Sequence, residues 1–125
     1  MRYKELTGQI IDCAYTVHRT LGFGFLESVY QNAMLHELIK AGLQAKKEQK
    51  VQVIYDKQVV GDFVADIVVE DMVILELKAV KEIVPSHEAQ LNNYLKATGM
   101  RLGLLINFGE NILIKRKLND GAIRS

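Results

Sequence analysis

The feature that most constrains this chain is a change of hydrophobic period part-way along it. Before Gly42 the apolar residues recur at intervals of three and four. Leu6, Ile10, Cys13, Ala14, Val17 and Leu21 form one stripe, the signature of an amphipathic helix packed by one face. Gly22 and Gly24 interrupt the stripe, and a second helix is predicted from about Phe25 to Ala41, stopped by Gly42. After Gly42 the period falls to two. Val51, Val53 and Tyr55 alternate with polar neighbours, and extended stretches follow from about Val59 to Val69 and from Met72 to Val80, with Glu70-Asp71 as the turn between them. Pro85 opens a third helix over Ser86 to Ala97, closed by Gly99. The nearly continuous apolar run Arg101 to Phe108 reads as a buried central strand, and Asn111 to Lys117 as a final one. The order is ααβββαββ. A helix inserted between strands implies a crossover to a parallel neighbour, so the expected fold is α/β, a central mixed β-sheet flanked by helices.

Composition narrows the partners. The 125 residues, 49% of them hydrophobic, suit one domain spanning 1–125 and argue against wholesale disorder. Sixteen Lys and Arg against fifteen Asp and Glu give a net charge of +1, which excludes a protein that grips nucleic acid by an overall basic surface. The charge is segregated, however. Residues 62–82 carry six acids against Lys78 and Lys81, whereas 40–57 and 111–125, the latter with Asp120 and Arg124, are each net positive. An acidic segment suits a cation and basic segments suit phosphates. The single Cys13 excludes an intrachain disulfide or a cysteine-based zinc site, and the three histidines lack metal-ligand spacing. With no signal-peptide pattern and no apolar run near the ~18 residues that span a bilayer, the sequence reads as cytoplasmic, with no membrane partner.

Several polar residues stand where structure alone does not demand them. Asp66 interrupts Phe63-Val64-Ala65-Asp66-Ile67-Val68-Val69, where an unpaired buried carboxylate costs several kcal/mol. Its bland alternative is the solvent face of a strand. Glu76 and Lys78 are two apart on a strand and share a face, the pairing that metal-assisted hydrolysis uses: a carboxylate for the cation, an ammonium for water or phosphate charge. An exposed ion pair explains them equally simply. Glu27 opens the second helix, where the dipole alone favours an acid, and Tyr30, Met34 and Leu38 continue its face. If that face packs inward, Glu27 is presented to the sheet, with Gly24 allowing close backbone approach. His87, Gln90 and Tyr94 share a face of the third helix, where they either line a cleft or merely border a packed Leu91 and Leu95 stripe.

The hairpin supplies a geometric test. A three-residue loop, Glu70 to Met72, pairs Val69 with Val73 and sets Asp66 across from Glu76 on one face, with Cβ atoms ~4.5–5.5 Å apart. A two-residue loop shifts the register by one and sends the two acids to opposite faces.

Together these residues resemble the PD-(D/E)xK nuclease superfamily, and within it the small GxxExxY family. Gly24, Glu27 and Tyr30 match the naming motif, and Asp66 with Glu76-Leu77-Lys78 matches the metal-binding signature. Gln90 and Tyr94 match a Gln-x-x-x-Tyr element, and Gly103 to Gly109 is similar to the family's closing strand. Ala65 stands where the superfamily's name has proline. The resemblance implies a restriction-endonuclease-like core. It implies Mg²⁺ or Mn²⁺ held by Asp66, Glu76 and the backbone at Leu77, supported by Glu27, oxygen ligands suiting hard cations. Lys78 is expected to position the hydrolytic water, and Gln90, Tyr94, Tyr30 and His87 to contact substrate. The implied activity is hydrolysis of phosphodiester bonds in nucleic acid, DNA before RNA, with substrate selection left to a partner protein or a second copy. The alternative is a nuclease-fold module that binds or assembles without catalysis.

Overall fold

The computed structural model describes residues 2–119, so Asp120 and Arg124 of the basic C-terminal segment lie outside the described residues. Helix α1 spans Tyr3–Leu21 and buries Leu6, Ile10, Cys13, Ala14 and Val17, the stripe read from the sequence. It stops at Gly22, whose φ of +68° is open to glycine and whose N–H donates to His18 O at 2.8 Å. Helix α2 spans Glu27–Lys40, starting two residues past Phe25 because Leu26 is extended (φ −66°, ψ 153°). Tyr30, Met34 and Leu38, four apart, are its fully buried face.

Strands β1 (Ala45–Tyr55), β2 (Gln58–Val69), β3 (Val73–Lys78), β4 (Leu102–Phe108) and β5 (Ile112–Leu118), with helix α3 (Pro85–Thr98) between β3 and β4, complete the order ααβββαββ. Only β1 departs far from its predicted limits. Its first half, Ala45 to Lys50, is too polar to show an apolar alternation, yet it pairs with Lys47 opposite Ile67 and Ala45 opposite Val69. Cross-strand pairing, not composition, makes it a strand.

The five strands lie in the order β1-β2-β3-β4-β5, with β3 and β4 parallel and every other pair antiparallel. The crossover through α3 is what the parallel pair requires. On one side, α1 and α2 cover a core of Ile67, Val69, Leu75, Leu77, Leu104, Ile106 and Phe108. On the other, α3 covers a smaller group: Ala65, Ile74, Leu91, Leu95 and Leu105. Gly103 lets α3 sit close, since a Cβ there would fall 2.7 Å from Leu91 Cδ1. No helix among the described residues is long and apolar enough to cross a membrane.

Candidate active site

The β2–β3 hairpin has the three-residue loop: Val69 pairs with Val73, Val68 with Ile74 and Ile67 with Leu75. Continuing that register brings Asp66 opposite Glu76, and there the backbone ladder ends. Side chains take over its hydrogen bonds. Leu77 N–H donates to Asp66 Oδ2 at 2.7 Å, and Asp66 N–H points to Glu76 Oε1 at 3.4 Å. The two acids therefore meet where β2 and β3 part.

The same point is irregular on the β1 side. Lys47 pairs with Ile67 and Gln49 with Ala65, but Glu48 and Asp66 between them drop out of the pairing, and Glu48 has a φ of +56°. Side-chain alternation slips here too. Phe63 and Ala65 pack toward α3, whereas Ile67 and Val69 pack under α1 and α2, although period two would put all four on one face. Asp66 is thus held at a distortion that opens the strand around its carboxylate.

The electrostatics of the opening are unfavourable without a cation. Glu76 is only 4% exposed, and its carboxyl is pushed up to about 8, first by burial and then by Asp66 beside it. Burial likewise raises Asp66, against the pull of the Leu77 N–H and the Lys78 ammonium, and Glu48 adds to the upward push. Glu27, on the exposed first turn of α2, is raised by partial desolvation and by Asp66, with Lys78 opposing. One ammonium faces several carboxyls, all oxygen donors, which is the donor chemistry of a hard divalent cation. Among the described residues no three His, Cys, Asp or Glu side chains are already drawn together closely enough to hold a metal ion. The residues fit such an ion by donor type and charge, with Asp66 and Glu76 in contact and Glu27 on the adjoining helix.

From the α3 side, Lys78 Nζ donates to Gln90 Oε1 at 3.4 Å, and Gln90 Nε2 donates to the Tyr94 hydroxyl at 2.6 Å. Tyr94 stacks on Phe63 with ring centroids 3.6 Å apart and planes 4° apart. Burial and the charge of Glu76 raise the Tyr94 phenol above its ordinary range. Gln90 and Tyr94 thus belong with the acids.

One expected substrate contact, Tyr30, is corrected, and His87 has a local partner of its own. Tyr30 is fully buried: its hydroxyl donates to Gly22 O at 2.8 Å, Phe25 N–H points back to it, and its ring stacks on Phe108 at 4.7 Å. With no exposed surface it touches no substrate, and instead it fixes the loop that delivers Glu27. His87 caps α3. Its Nδ1 accepts from Val84 N–H at 3.1 Å and its backbone N–H donates to Val84 O, while the residue stays partly exposed. Gly24 also acts otherwise than expected: nothing lies within 4 Å of a Cβ built on it, and its requirement is a φ of +111°. The basic C-terminal segment is partly spent, since Lys115 and Lys117 both pair with Glu88 on α3 and hold its carboxyl below the usual range.

The sequence reading missed Glu48 and Gln31. Gln31 Nε2 donates to Asp66 O at 3.0 Å, tying α2 to the distorted strand. Its place next to Tyr30 gave no signal. Glu48 had one faint signal, an acid inside a run of lysines. A cleft of about 770 Å³ lies just past Lys78, lined by Ala79, Val80, Phe23 and Asn107 but by none of these acids.

The topology agrees with comparisons to known proteins. No curated protein matches the chain by sequence. The solved structure of the protein SSO0001 matches with a TM-score of 0.62 at 15% identity, over 78% of this chain and 55% of that one. This chain therefore spans about half the length of that protein, and the likeness is one of fold. The family model of the PD-(D/E)XK nuclease superfamily, whose members are usually nucleases and generally use divalent metals such as Mg²⁺ or Mn²⁺, matches residues 4–119. With nearly all of its length so matched, the chain belongs to the PD-(D/E)XK nuclease superfamily.

Proposed function

We propose that this chain is a cytoplasmic, metal-dependent nuclease of the GxxExxY type that hydrolyses phosphodiester bonds in DNA. Gly24, Glu27 and Tyr30 support the finer family assignment. The observation that carries the activity is the contact of Asp66 with Glu76 at the end of the hairpin ladder, with Glu76 almost wholly buried. An acid is rarely buried beside another without a compensating charge. Asp66 and Glu76, with the backbone at Leu77 and support from Glu27, would hold Mg²⁺ or Mn²⁺. When bound, such an ion polarises the scissile phosphate and lowers the pKa of water.

The remaining work falls to side chains. The Leu77 N–H keeps the Asp66 carboxylate aimed at the opening, and Gln31 fixes the backbone behind it. Gln90 Oε1 accepts a hydrogen bond from Lys78 and so sets the direction of the ammonium. Its other donors are free to hold the attacking water and to offset negative charge growing on the phosphate. Tyr94 braces Gln90 from below.

Calorimetric titration with Mn²⁺ is expected to show binding that Glu76→Gln and Asp66→Ala remove. Cleavage of single- and double-stranded DNA and RNA is expected to need the metal and to fall sharply in Lys78→Ala. Metal and nucleic-acid binding without cleavage of any substrate would overturn the enzyme in favour of a binding module. No metal binding by the wild type would likewise overturn the metal-dependent enzyme.

A further inference from the structure

Beside the acids, on the α3 side, runs a second cleft of about 610 Å³ that the proposed chemistry does not use. It lies between the far half of the β1–β2 hairpin and α3. Val53, Ile54 and Phe63 form one wall, and Tyr94 and Ala97 the other. Its size falls in the range of small-ligand sites. Ile54 is 56% exposed and Val53 36%, so these apolar side chains are not covered by the protein itself. At its inner end the Tyr94 ring is stacked on Phe63 and the Tyr94 hydroxyl is bonded to Gln90, which holds Lys78. Two hydrogen bonds therefore link the cleft to Lys78, the group proposed to face the scissile phosphate.

We infer that this groove receives unpaired nucleobases of the strand being cut, and so makes the site selective for single-stranded nucleic acid. The inference rests on the nuclease reading. The composition of the groove decides between parts of the substrate. Its polar rim is Lys96 and Asn93 on α3 with Asp62 opposite, one cation against one anion, so it offers phosphates little net attraction. Its walls are aliphatic, closed at the inner end by the stacked Phe63–Tyr94 pair, an apolar lining that suits the flat faces of bases. In a duplex those faces are stacked away and the outer surface is phosphate and sugar. Only an unpaired strand can place bases there while its phosphate reaches Lys78. Asn93 can hydrogen-bond a base edge, as an amide carries both donors and an acceptor.

Fluorescence anisotropy of labelled oligothymidylate, in metal-free buffer with chelator, tests the groove without depending on the acids. The wild type is expected to bind the single strand at least about tenfold more tightly than a hairpin duplex of equal length, with a shallow salt dependence. Ile54→Asp, at an exposed position where folding is easily checked by circular dichroism, is expected to weaken single-strand binding by roughly tenfold, and Lys96→Ala by only about two- to threefold. Oligouridylate bound as well as oligothymidylate supports the same base-stacking groove. Unchanged affinity in Ile54→Asp, or tighter binding of the duplex, overturns the inference. So does concentration-dependent dimerisation that Ile54→Asp abolishes while oligonucleotide affinity stays the same, because the groove would then seat a second copy. Mn²⁺ titration of the same proteins in chelator-free buffer reports on the acids and not on the groove, so failure of the groove and failure of the nuclease reading are told apart.

Discussion

Toward α1 and α2 the sheet presents Ile67, Val69, Leu75, Leu77, Leu104 and Ile106, all fully buried. Toward α3 it presents Ile74 and Leu105 and then, further along β3, the acid Glu76 and the ammonium of Lys78. The first side is a close-packed hydrocarbon layer, where removal of water from apolar surface supplies stability. On the second side that layer is small and gives way to groups whose burial costs free energy. One strand, β3, serves both: its odd-numbered residues anchor the core while Glu76 and Lys78 carry the proposed chemistry. A rigid hydrophobic side holds the polar side in an arrangement it would not keep alone.

The sharpest way to test this division is to remove charge from one side and carbon from the other. Glu76→Gln is expected to reduce metal-dependent cleavage by about a thousandfold or more, roughly 4 kcal/mol in the barrier, while leaving the denaturation midpoint at pH 8 unchanged or higher. Loss of stability with retained cleavage would invert the comparison. Leu104→Ala should do the opposite. Denaturant unfolding is expected to show a loss of about 2–5 kcal/mol, with the folded fraction cleaving at the wild-type rate.

Acidity separates the two sides next. The Glu76 carboxyl lies at about 8 when folded against an ordinary 4.5, so between those values the folded state binds the extra proton. Its contribution to stability is full below about pH 4.5 and is lost as pH rises toward 8, by a few kcal/mol at most. Asp66 and Glu27, also raised, add in the same direction. Metal-free protein is therefore expected to grow less stable from pH 5 to 8, with the slope flattened in Glu76→Gln, and Mn²⁺ affinity should rise over the same range. A metal-free stability that climbs with pH would contradict this. The smallest effect expected is that of Tyr30→Phe. It removes the hydroxyl that bonds Gly22 O and costs about 1–2 kcal/mol, with a modest fall in cleavage through displacement of Glu27. A larger effect on cleavage than on stability would return Tyr30 to the site itself.

The order of elements and the β2–β3 register were legible because both are local. Helical period, glycine stops and strand alternation depend on residues a few positions apart, and the loop Glu70 to Met72 sets which residues of its own hairpin face one another. That is enough to bring Asp66 to Glu76. What the sequence could not disclose lies in contacts between distant segments. Gln31 reaches Asp66 across 35 positions, and Lys115 reaches Glu88 across 27. Glu48 comes beside Asp66 only through β1–β2 pairing, at a point where both leave the ladder.

Tyr30 and His87 show the same limit in another form. Their helical spacing set each on the expected face, but spacing does not say what a side chain meets there. Tyr30 meets Phe108 and the backbone of Gly22, and His87 turns to its own helix end. The amino-acid sequence by itself determined the mixed sheet, its covering helices and the pairing of the two central acids, since period and loop length act over short stretches of chain. Tertiary structure alone decided that Glu76 is buried, that Asp66 sits at a gap in the pairing on both sides of its strand and that a groove beside Tyr94 lies two hydrogen bonds from Lys78. Burial, desolvation and the closing of space between elements arise only when segments far apart in the chain are brought together.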